Sequence, residues 1–477
     1  MTDIARGVQL RRCGAPPPIR MVHVGLGAFH RSHQAWYTAR AADSAHWGIA
    51  AFTGQSLDVA ERLNAQGGVY TLIVRGSAAD SFETVDSIVA AYPGVDIAAF
   101  VAVLGSHDVV VLTLTITEAA YHLDAEGVLD LDDPHVCHDL TILRAVFAEG
   151  SALDEVPPLR SALARVLLAL EGRRRSGAPP LAIIPCDNLP HNGYLVGQAL
   201  ASLAEMTSAP LRVWLETGIS VVSTSVDRIT PRMSPEDSDE VFVETGVVDL
   251  APVVTEEFSD WVLAGDFPSG RPAWETAGAR FVADIAPWEA RKLWMLNGAH
   301  SVLAALGTLR GHALVSGAID DPVCREVVDA LWQEAARHLP DVEVTHYAAE
   351  LIARFRNPRI EHRLVQIATD ATTKMRLRIV PVALRERAAG RPAEGCAAAV
   401  AAWWLSDTGD APREGGSNGL DRAVACLDTG LAHDPTFMAA VAAAVDRIRR
   451  AVAAEASPGE ADRARRPQNS TTLGGRS

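Results

Sequence analysis

Cysteine is scarce in this 477-residue chain and nowhere paired. Cys13, Cys137, Cys186, Cys324, Cys396 and Cys426 show no C-x-x-C spacing, so neither a disulfide framework nor a cysteine-built zinc site is expected. A His-Glu-x-x-His pair is also missing, which removes a second common zinc signature. No metal is expected, and any proton chemistry would fall to amino-acid side chains. No apolar run reaches the roughly 18 residues of a membrane-spanning helix. The stretch from Met1 to Arg12 lacks an apolar signal core, which points to a cytoplasmic protein. Positive charge is short: 43 Lys and Arg face 59 Asp and Glu, a net charge of −16 with a pI near 5.4. That balance argues against nucleic acid and anionic membranes as partners and leaves a small molecule. No internal repeat is visible.

What is present fits a globular chain, with 48% hydrophobic and 21% charged residues. The length suggests two or three domains. Residues 1–18 end in Pro16, Pro17 and Pro18 and read as an irregular arm. From there β-rich runs alternate with helical stretches. Strands are predicted over 21–24, 48–52, 70–74, 109–115, 181–185 and 220–225, the fourth being the strongest because it is β-branched and nearly continuous. Such alternation predicts an α/β fold with a doubly wound sheet of Rossmann type over 19–272. Beyond that point strand signals fade. Helices are predicted over 287–306, 322–338, 343–356, 376–389, 394–405 and 433–455, giving a mainly α-helical domain over 273–455. Residues 456–477 have no apolar periodicity and read as a disordered tail.

The first predicted strand runs into Gly25-Leu-Gly27-Ala28-Phe29-His30, which opens a helical stretch. Gly25 suits a tight turn and Gly27 a close approach of backbone N–H groups to a pyrophosphate, with His30 where a third glycine usually stands. An ordinary strand–helix turn is the plainer reading of an incomplete G-x-G-x-x-G. An acidic residue closing the second strand would bond the adenosine ribose, but the nearest here is Asp58. Thr53, Gln55 and Ser56 are the substitutes, and no Arg stands ready for a 2′-phosphate.

A third feature is Arg291-Lys-Leu-Trp-Met-Leu-Asn-Gly-Ala-His300-Ser301. On an α-helix Lys292, Asn297 and His300 fall at about 0°, 140° and 80°, on one broad face among Leu293, Leu296, Val302 and Leu303. An amine, a carboxamide and an imidazole beside apolar surface suit proton abstraction from an alcohol, because desolvation lowers a lysine pKa. A solvated surface helix would show the same spacing.

These pieces together resemble the long-chain polyol dehydrogenases, a family that includes mannitol 2-dehydrogenases and fructuronate reductases. The matching segments are His23 to Arg31, Thr113 to Glu118, Pro185-Cys-Asp-Asn188 on to Gly193, Val226 to Pro231, Gly270 to Glu275 and Lys292 to Ser301. The resemblance implies a metal-independent dehydrogenase using NAD, with NADP as the alternative, built from a Rossmann domain and a helical domain. It assigns Lys292 as general base, Asn188 and Asn297 as the amides that polarise the carbonyl oxygen, His300 as a substrate-hydroxyl ligand and Glu118 as the carboxylate linking the lysine to solvent. The resemblance also includes Asp227, read here as structural. Taken alone, Asn188 would suit an Asx-turn and Glu118 a helix start.

The substrate is read from Asn357 to Arg378. His362, Gln366, Asp370 and Lys374 recur every four residues and would form a polar stripe on one helix. The stretch resembles the uronate-reducing branch, where polyol-specific members more often carry Arg in place of Gln366. Arg363, Lys374, Arg376 or Arg378 could hold a carboxylate, a guanidinium doing so in bidentate fashion. Ala371 and Thr372 depart from the Gly-Ser of the family pattern. The expectation is fructuronate reductase (D-mannonate/D-fructuronate), with mannitol 2-dehydrogenase or mannitol-1-phosphate 5-dehydrogenase as alternatives and a catalytically idle dinucleotide-binding sensor as the alternative of another class. A monomer or a small homo-oligomer is expected.

Overall fold

The computed structural model describes residues 7–54, 57–124, 126–148, 151–340, 342–408 and 416–455. The tail expected over 456–477 lies outside the described residues. The chain separates into two compact units, Met1–Glu289 and Ala290–Ser477.

The first unit is built on six parallel strands: β1 (Ile19–Val24), β2 (Gly48–Phe52), β3 (Ile88–Tyr92), β4 (Val111–Leu114), β5 (Leu181–Pro185) and β6 (Ile219–Val221). Across the sheet they run β3-β2-β1-β4-β5-β6. This is the doubly wound dinucleotide-binding order, whose switch point lies between β1 and β4 at the carboxyl ends of the strands. Alternate residues feed two cores. Val22, Val24, Ala50, Phe52, Leu112 and Leu114 enter one, while Met21, Ile49, Ala51 and Val111 enter the other. Burial on both faces is why these strands read as apolar runs rather than as alternation. Helices Ile97–Leu104, Ala162–Ser176 and Asn192–Glu205 cover the first face. The long one starts where the Ser161 hydroxyl accepts from Ala164 N at 3.2 Å and stops at Gly177 in the left-handed region, φ +68°.

Several elements depart from the sequence reading. Tyr70–Arg75 is a strand, but it pairs with Val253–Glu256 and Asp80–Val85 in a separate sheet. The single strand expected over 220–225 is two, β6 and Ser223–Asp227, in different sheets. Ser223–Asp227 pairs with Asp260–Ala264, which pairs with Arg280–Phe281. That pairing carries the first unit beyond residue 272 to Glu289. The arm is not irregular throughout, since Val8–Gln9 pairs with Val247–Val248. Arg12 ties it further, donating to the carbonyls of Gly67, Asp86 and Ile88 at 2.8, 2.6 and 2.7 Å.

The second unit is helical, with Pro322–Ala336, Val344–Phe355, Glu394–Thr408 and Pro435–Glu455 close to the predicted stretches. Residues 396–402 of the third of these, five alanines with Cys396 and Val400, are all buried. The helix predicted over 376–389 is broken. Ala371–Arg378 and Val380–Ala388 meet at Ile379 (φ −108°), with Pro381 in the first turn of the second. Among the described residues no helix is long and apolar enough to cross a membrane.

Candidate active site

The glycine turn lies at the carboxyl end of β1, on the switch point. Gly25 N and Leu26 N both donate to Phe52 O at 2.9 Å. Gly25 has φ +105°, and a Cβ there would lie 1.9 Å from the carbonyl oxygen of Thr115, so only glycine fits. Gly27 is different: a Cβ there would meet no protein atom nearer than Gly25 O at 3.6 Å. Helix Ala28–Ser32 begins at Gly27, and the first-turn N–H groups of Ala28, Phe29 and His30 have no carbonyl inside the helix to bond. An open cradle with spare N–H donors fits a pyrophosphate.

Two residues expected at the cofactor have buried side chains. The His30 side chain is fully buried and stacks on His23 with ring centroids 3.3 Å apart. It faces the core, because the helix turns its position inward; only its backbone remains at the turn. Thr53 is also buried, and its hydroxyl accepts from Gly94 N at 3.0 Å, bracing the loops after β2 and β3. Gln55 and Ser56 lie outside the described residues.

The loops after β4 and β5 carry two further candidates. Glu118 is exposed and opens the short helix Glu118–Tyr121. It lines a cavity of about 410 Å³ with His122, Asp124, Asp130, Asp133 and Leu189. Asn188 is exposed on a bend that follows β5. Sequence reasoning missed its neighbours. The Asp187 carboxylate accepts from Ile116 N, Thr117 N and the Tyr121 hydroxyl at 3.1, 2.9 and 2.7 Å. The Asn192 amide, fully buried, donates to Asp187 O at 3.1 Å and to Thr224 O at 3.0 Å. Farther on, Glu289 accepts from His191 N at 2.9 Å. Asp227 is buried in strand Ser223–Asp227 opposite Asp260, while Arg228 donates to the carbonyls of Ser32 and Glu256.

In the second unit the helix bearing Lys292 is not a regular α-helix. Lys292–Asn297 and Leu303–Gly307 are π-helical, with α-helical Gly298–Val302 between them. In a π-turn hydrogen bonds run from i to i+5, so residues five apart lie closer round the helix axis than in an α-helix. The roughly 140° expected between Lys292 and Asn297 therefore narrows. Both residues are half-buried. Among the described residues the Asn297 carboxamide makes no hydrogen bond, whereas its backbone carbonyl accepts from the Ser301 hydroxyl and from Arg378, each at 3.2 Å. His300 is buried between Phe355 and His362, with ring centroids 5.0 and 4.7 Å away, and its Nε2 has no hydrogen-bond partner among the described residues. Burial first, then the neighbouring His362, Arg354 and Arg378, holds its pKa well below the ordinary value, which favours the neutral imidazole.

The polar stripe expected on one helix is divided. His362 precedes helix Leu364–Ile367, and Asp370 (φ +51°) breaks the chain before Ala371–Arg378. Arg363 is on the surface beside Glu361 at 3.2 Å, and Gln366 is exposed. Lys374 is half-buried, donating to Ile367 O at 3.0 Å. It lines a cavity of about 200 Å³ with Ser301, Thr308, Trp403 and Ser406. Arg376 donates to Cys426 O. Arg378 donates to Ser301 Oγ at 3.0 Å, and burial pushes its pKa down to about 10. Among the described residues no group of three or more His, Cys, Asp or Glu side chains could hold a metal ion.

A 3-2-1-4-5-6 sheet with a glycine turn at its switch point, followed by a helical unit, defines a Rossmann-type protein of two units. The Rossmann domain of mannitol dehydrogenases matches residues 19–276, and the C-terminal domain of mannitol dehydrogenases matches 284–417. The chain belongs to the mannitol dehydrogenase family and is an oxidoreductase of that family. It is 37% identical over 372 residues to the uncharacterized oxidoreductase YeiQ of Escherichia coli (strain K12), covering 76% of this chain and 73% of that one. It is 35% identical over 378 residues to the D-mannonate oxidoreductase of the same organism, covering 76% and 75%. A solved ternary complex of Pseudomonas fluorescens mannitol 2-dehydrogenase with NAD and D-mannitol is 30% identical, with a TM-score of 0.72 and 95% and 96% of the two chains covered.

Proposed function

We propose that this protein is a metal-independent, NAD-dependent dehydrogenase that interconverts a secondary alcohol of a sugar acid and its ketone, with D-mannonate and D-fructuronate as the pair. The observation that carries the reading is the π-turn over Lys292–Asn297, which brings these two residues closer round the helix axis than an α-helix would, with the Asn297 carboxamide making no hydrogen bond among the described residues. A bound nicotinamide dinucleotide supplies hydride exchange with the carbinol carbon. Gly25, Gly27 and the N–H groups of Ala28, Phe29 and His30 are the residues that hold its pyrophosphate. NAD is favoured by the likeness to an enzyme solved with NAD; NADP is the alternative to test.

The remaining work belongs to side chains. In oxidation Lys292 takes the hydroxyl proton, and in reduction it returns that proton to the carbonyl oxygen. Asn188 and Asn297 donate N–H to the same oxygen, stabilising the alkoxide without burying a counter-charge. His300, held neutral, bonds a substrate hydroxyl through Nε2. Glu118 exchanges protons with solvent on behalf of Lys292.

The acid end of the substrate is assigned to Lys374, with Gln366 nearby. Arg363, already beside Glu361 at the surface, is the weaker candidate. The likeness to a D-mannonate oxidoreductase supports a uronate. Mannitol oxidation is the second reading, supported by the likeness to mannitol 2-dehydrogenase. A phosphorylated hexitol is the third. A catalytically idle sensor would have no use for an amine and a carboxamide placed on one turn.

Following nicotinamide absorbance with D-mannonate, D-mannitol and D-mannitol 1-phosphate, each with NAD and NADP, separates these readings. The largest kcat/KM is expected for D-mannonate with NAD, and no turnover on any of the three would favour the sensor. Lys374→Gln should raise KM for D-fructuronate roughly tenfold to a hundredfold and KM for D-fructose far less, since a charge-assisted bond contributes about 1.5–3 kcal/mol. Equal losses on both ketoses would transfer the preference to mannitol. EDTA should leave turnover intact; a loss that zinc restores would refute the metal-free mechanism.

A further inference from the structure

The residue in front of Asn188 is held more firmly than any role assigned so far explains. The Asp187 carboxylate receives three donors, Ile116 N, Thr117 N and the Tyr121 hydroxyl. The Asp187 carbonyl receives the Asn192 amide, whose oxygen in turn accepts from Thr224 N at 2.9 Å. Asp187 thereby fastens the loop after β5, which carries Asn188, to the loop after β4, which carries Glu118.

Holding Asp187 this way costs stability. Among the described residues no Lys, Arg or His pairs with the carboxylate. Burial pushes its pKa up, against the pull of the Tyr121, Ile116 and Thr117 donors. One of those partners, Thr117, has φ +72° and ψ 153°, a conformation that a β-branched residue rarely adopts. A half-buried carboxylate without a cation among the described residues and a strained threonine thus occur at one joint, between Glu118 and Asn188. Features of this kind persist where surrounding structure over-determines them, and they gather at functional sites.

We propose that Asp187 is a positioning residue: by fixing the β4 and β5 loops to each other it sets the place of the Asn188 carboxamide, and it acts on the reaction through Asn188 without touching substrate. The inference rests on the role given to Asn188 above. It differs from a purely structural role in one respect. An Asp187→Asn side chain keeps the shape but turns an N–H₂ toward one of the donors, so the joint loosens while a desolvated charge disappears. Activity should fall without a fall in stability.

Steady-state kinetics on D-fructuronate and D-fructose, dinucleotide Kd by fluorescence titration and thermal unfolding test this in four proteins. Asp187→Asn should lower kcat roughly tenfold to a hundredfold, the scale of a misplacement near 1 Å, with Kd and Tm at or above wild-type quality. Asn188→Ala should lower kcat roughly a hundredfold to a thousandfold. The double variant should be no slower than Asn188→Ala alone, because the first change has nothing left to act through. Additive losses overturn the proposal, as does wild-type kcat in Asp187→Asn or a loss that merely follows a lowered Tm. Tyr121→Phe is the milder fourth variant, expected to lose about twofold to tenfold in kcat. If Asp187→Asn does not fold, unchanged kcat in Tyr121→Phe overturns the proposal instead. Wild-type kcat in Asn188→Ala has a separate meaning: it removes the role of Asn188 itself and the inference with it, as does a wild type that reduces neither ketose.

Discussion

Lys292→Ala is expected to lower kcat roughly a thousandfold to ten-thousandfold while dinucleotide affinity stays at the wild-type level. A positioned general base contributes up to about 10⁴-fold, and this one acts on the substrate hydroxyl, not on the dinucleotide. The variant should fold, since Lys292 is half-buried and on the π-turn its neighbours Trp294, Met295 and Leu296 are the buried residues. An added primary amine should restore part of the rate, and the restored rate should rise with amine basicity, because the amine replaces the missing base. Asn297→Ala offers the contrast: it removes a donor to the alkoxide, so turnover falls but amines give no rescue. Wild-type turnover in Lys292→Ala would end the assignment of the base.

The strand pattern was legible because β1, β2, β4 and β5 are buried on both faces and leave apolar runs in the sequence. β3 was missed, since Ile88-Val-Ala-Ala-Tyr92 carries two alanines and follows Ser87 closely. Tyr70–Arg75 was seen as a strand, but its partners Val253–Glu256 and Asp80–Val85 could not be inferred from propensity. At the candidate site, residue types were legible and backbone geometry was not. The choice between i→i+4 and i→i+5 bonding at Lys292–Asn297 depends on packing around the helix, so an ideal α-helix misplaced Asn297. His30 stands in the glycine motif and so suggests a place at the cofactor, yet its side chain stacks on His23 through tertiary contact. Arg363 and Lys374 look alike as cations in sequence; Lys374 lines a cavity, whereas Arg363 lies at the surface beside Glu361. Asp187 stands between Pro185 and Gly193 with nothing local to mark its role, because its three donors come from residues about seventy positions away.

The two glycines of the turn should separate a role in folding from a role in binding. Gly25→Ala places a Cβ 1.9 Å from Thr115 O in a backbone with φ +105°. The strain alone costs about 1–3 kcal/mol. The clash is with backbone, and relieving it would pull apart β1 and β4 where Val24 pairs with Leu114. Tm should therefore fall by roughly 5–15 °C, with dinucleotide binding lost as the turn deforms. Gly27→Ala has neither problem. Its backbone, at φ −131° and ψ −169°, is open to alanine, and the added methyl meets only Gly25 O at 3.6 Å. Its Tm should match wild type. Dinucleotide affinity should nonetheless fall roughly fivefold to a hundredfold, the effect of an extra methyl in a close contact worth about 1–3 kcal/mol. Isothermal titration with NAD and thermal unfolding of both variants measure the contrast. Wild-type affinity in Gly27→Ala would mean that the pyrophosphate does not rest on this turn, and an unchanged Tm in Gly25→Ala would mean that β1 and β4 can part at the switch point.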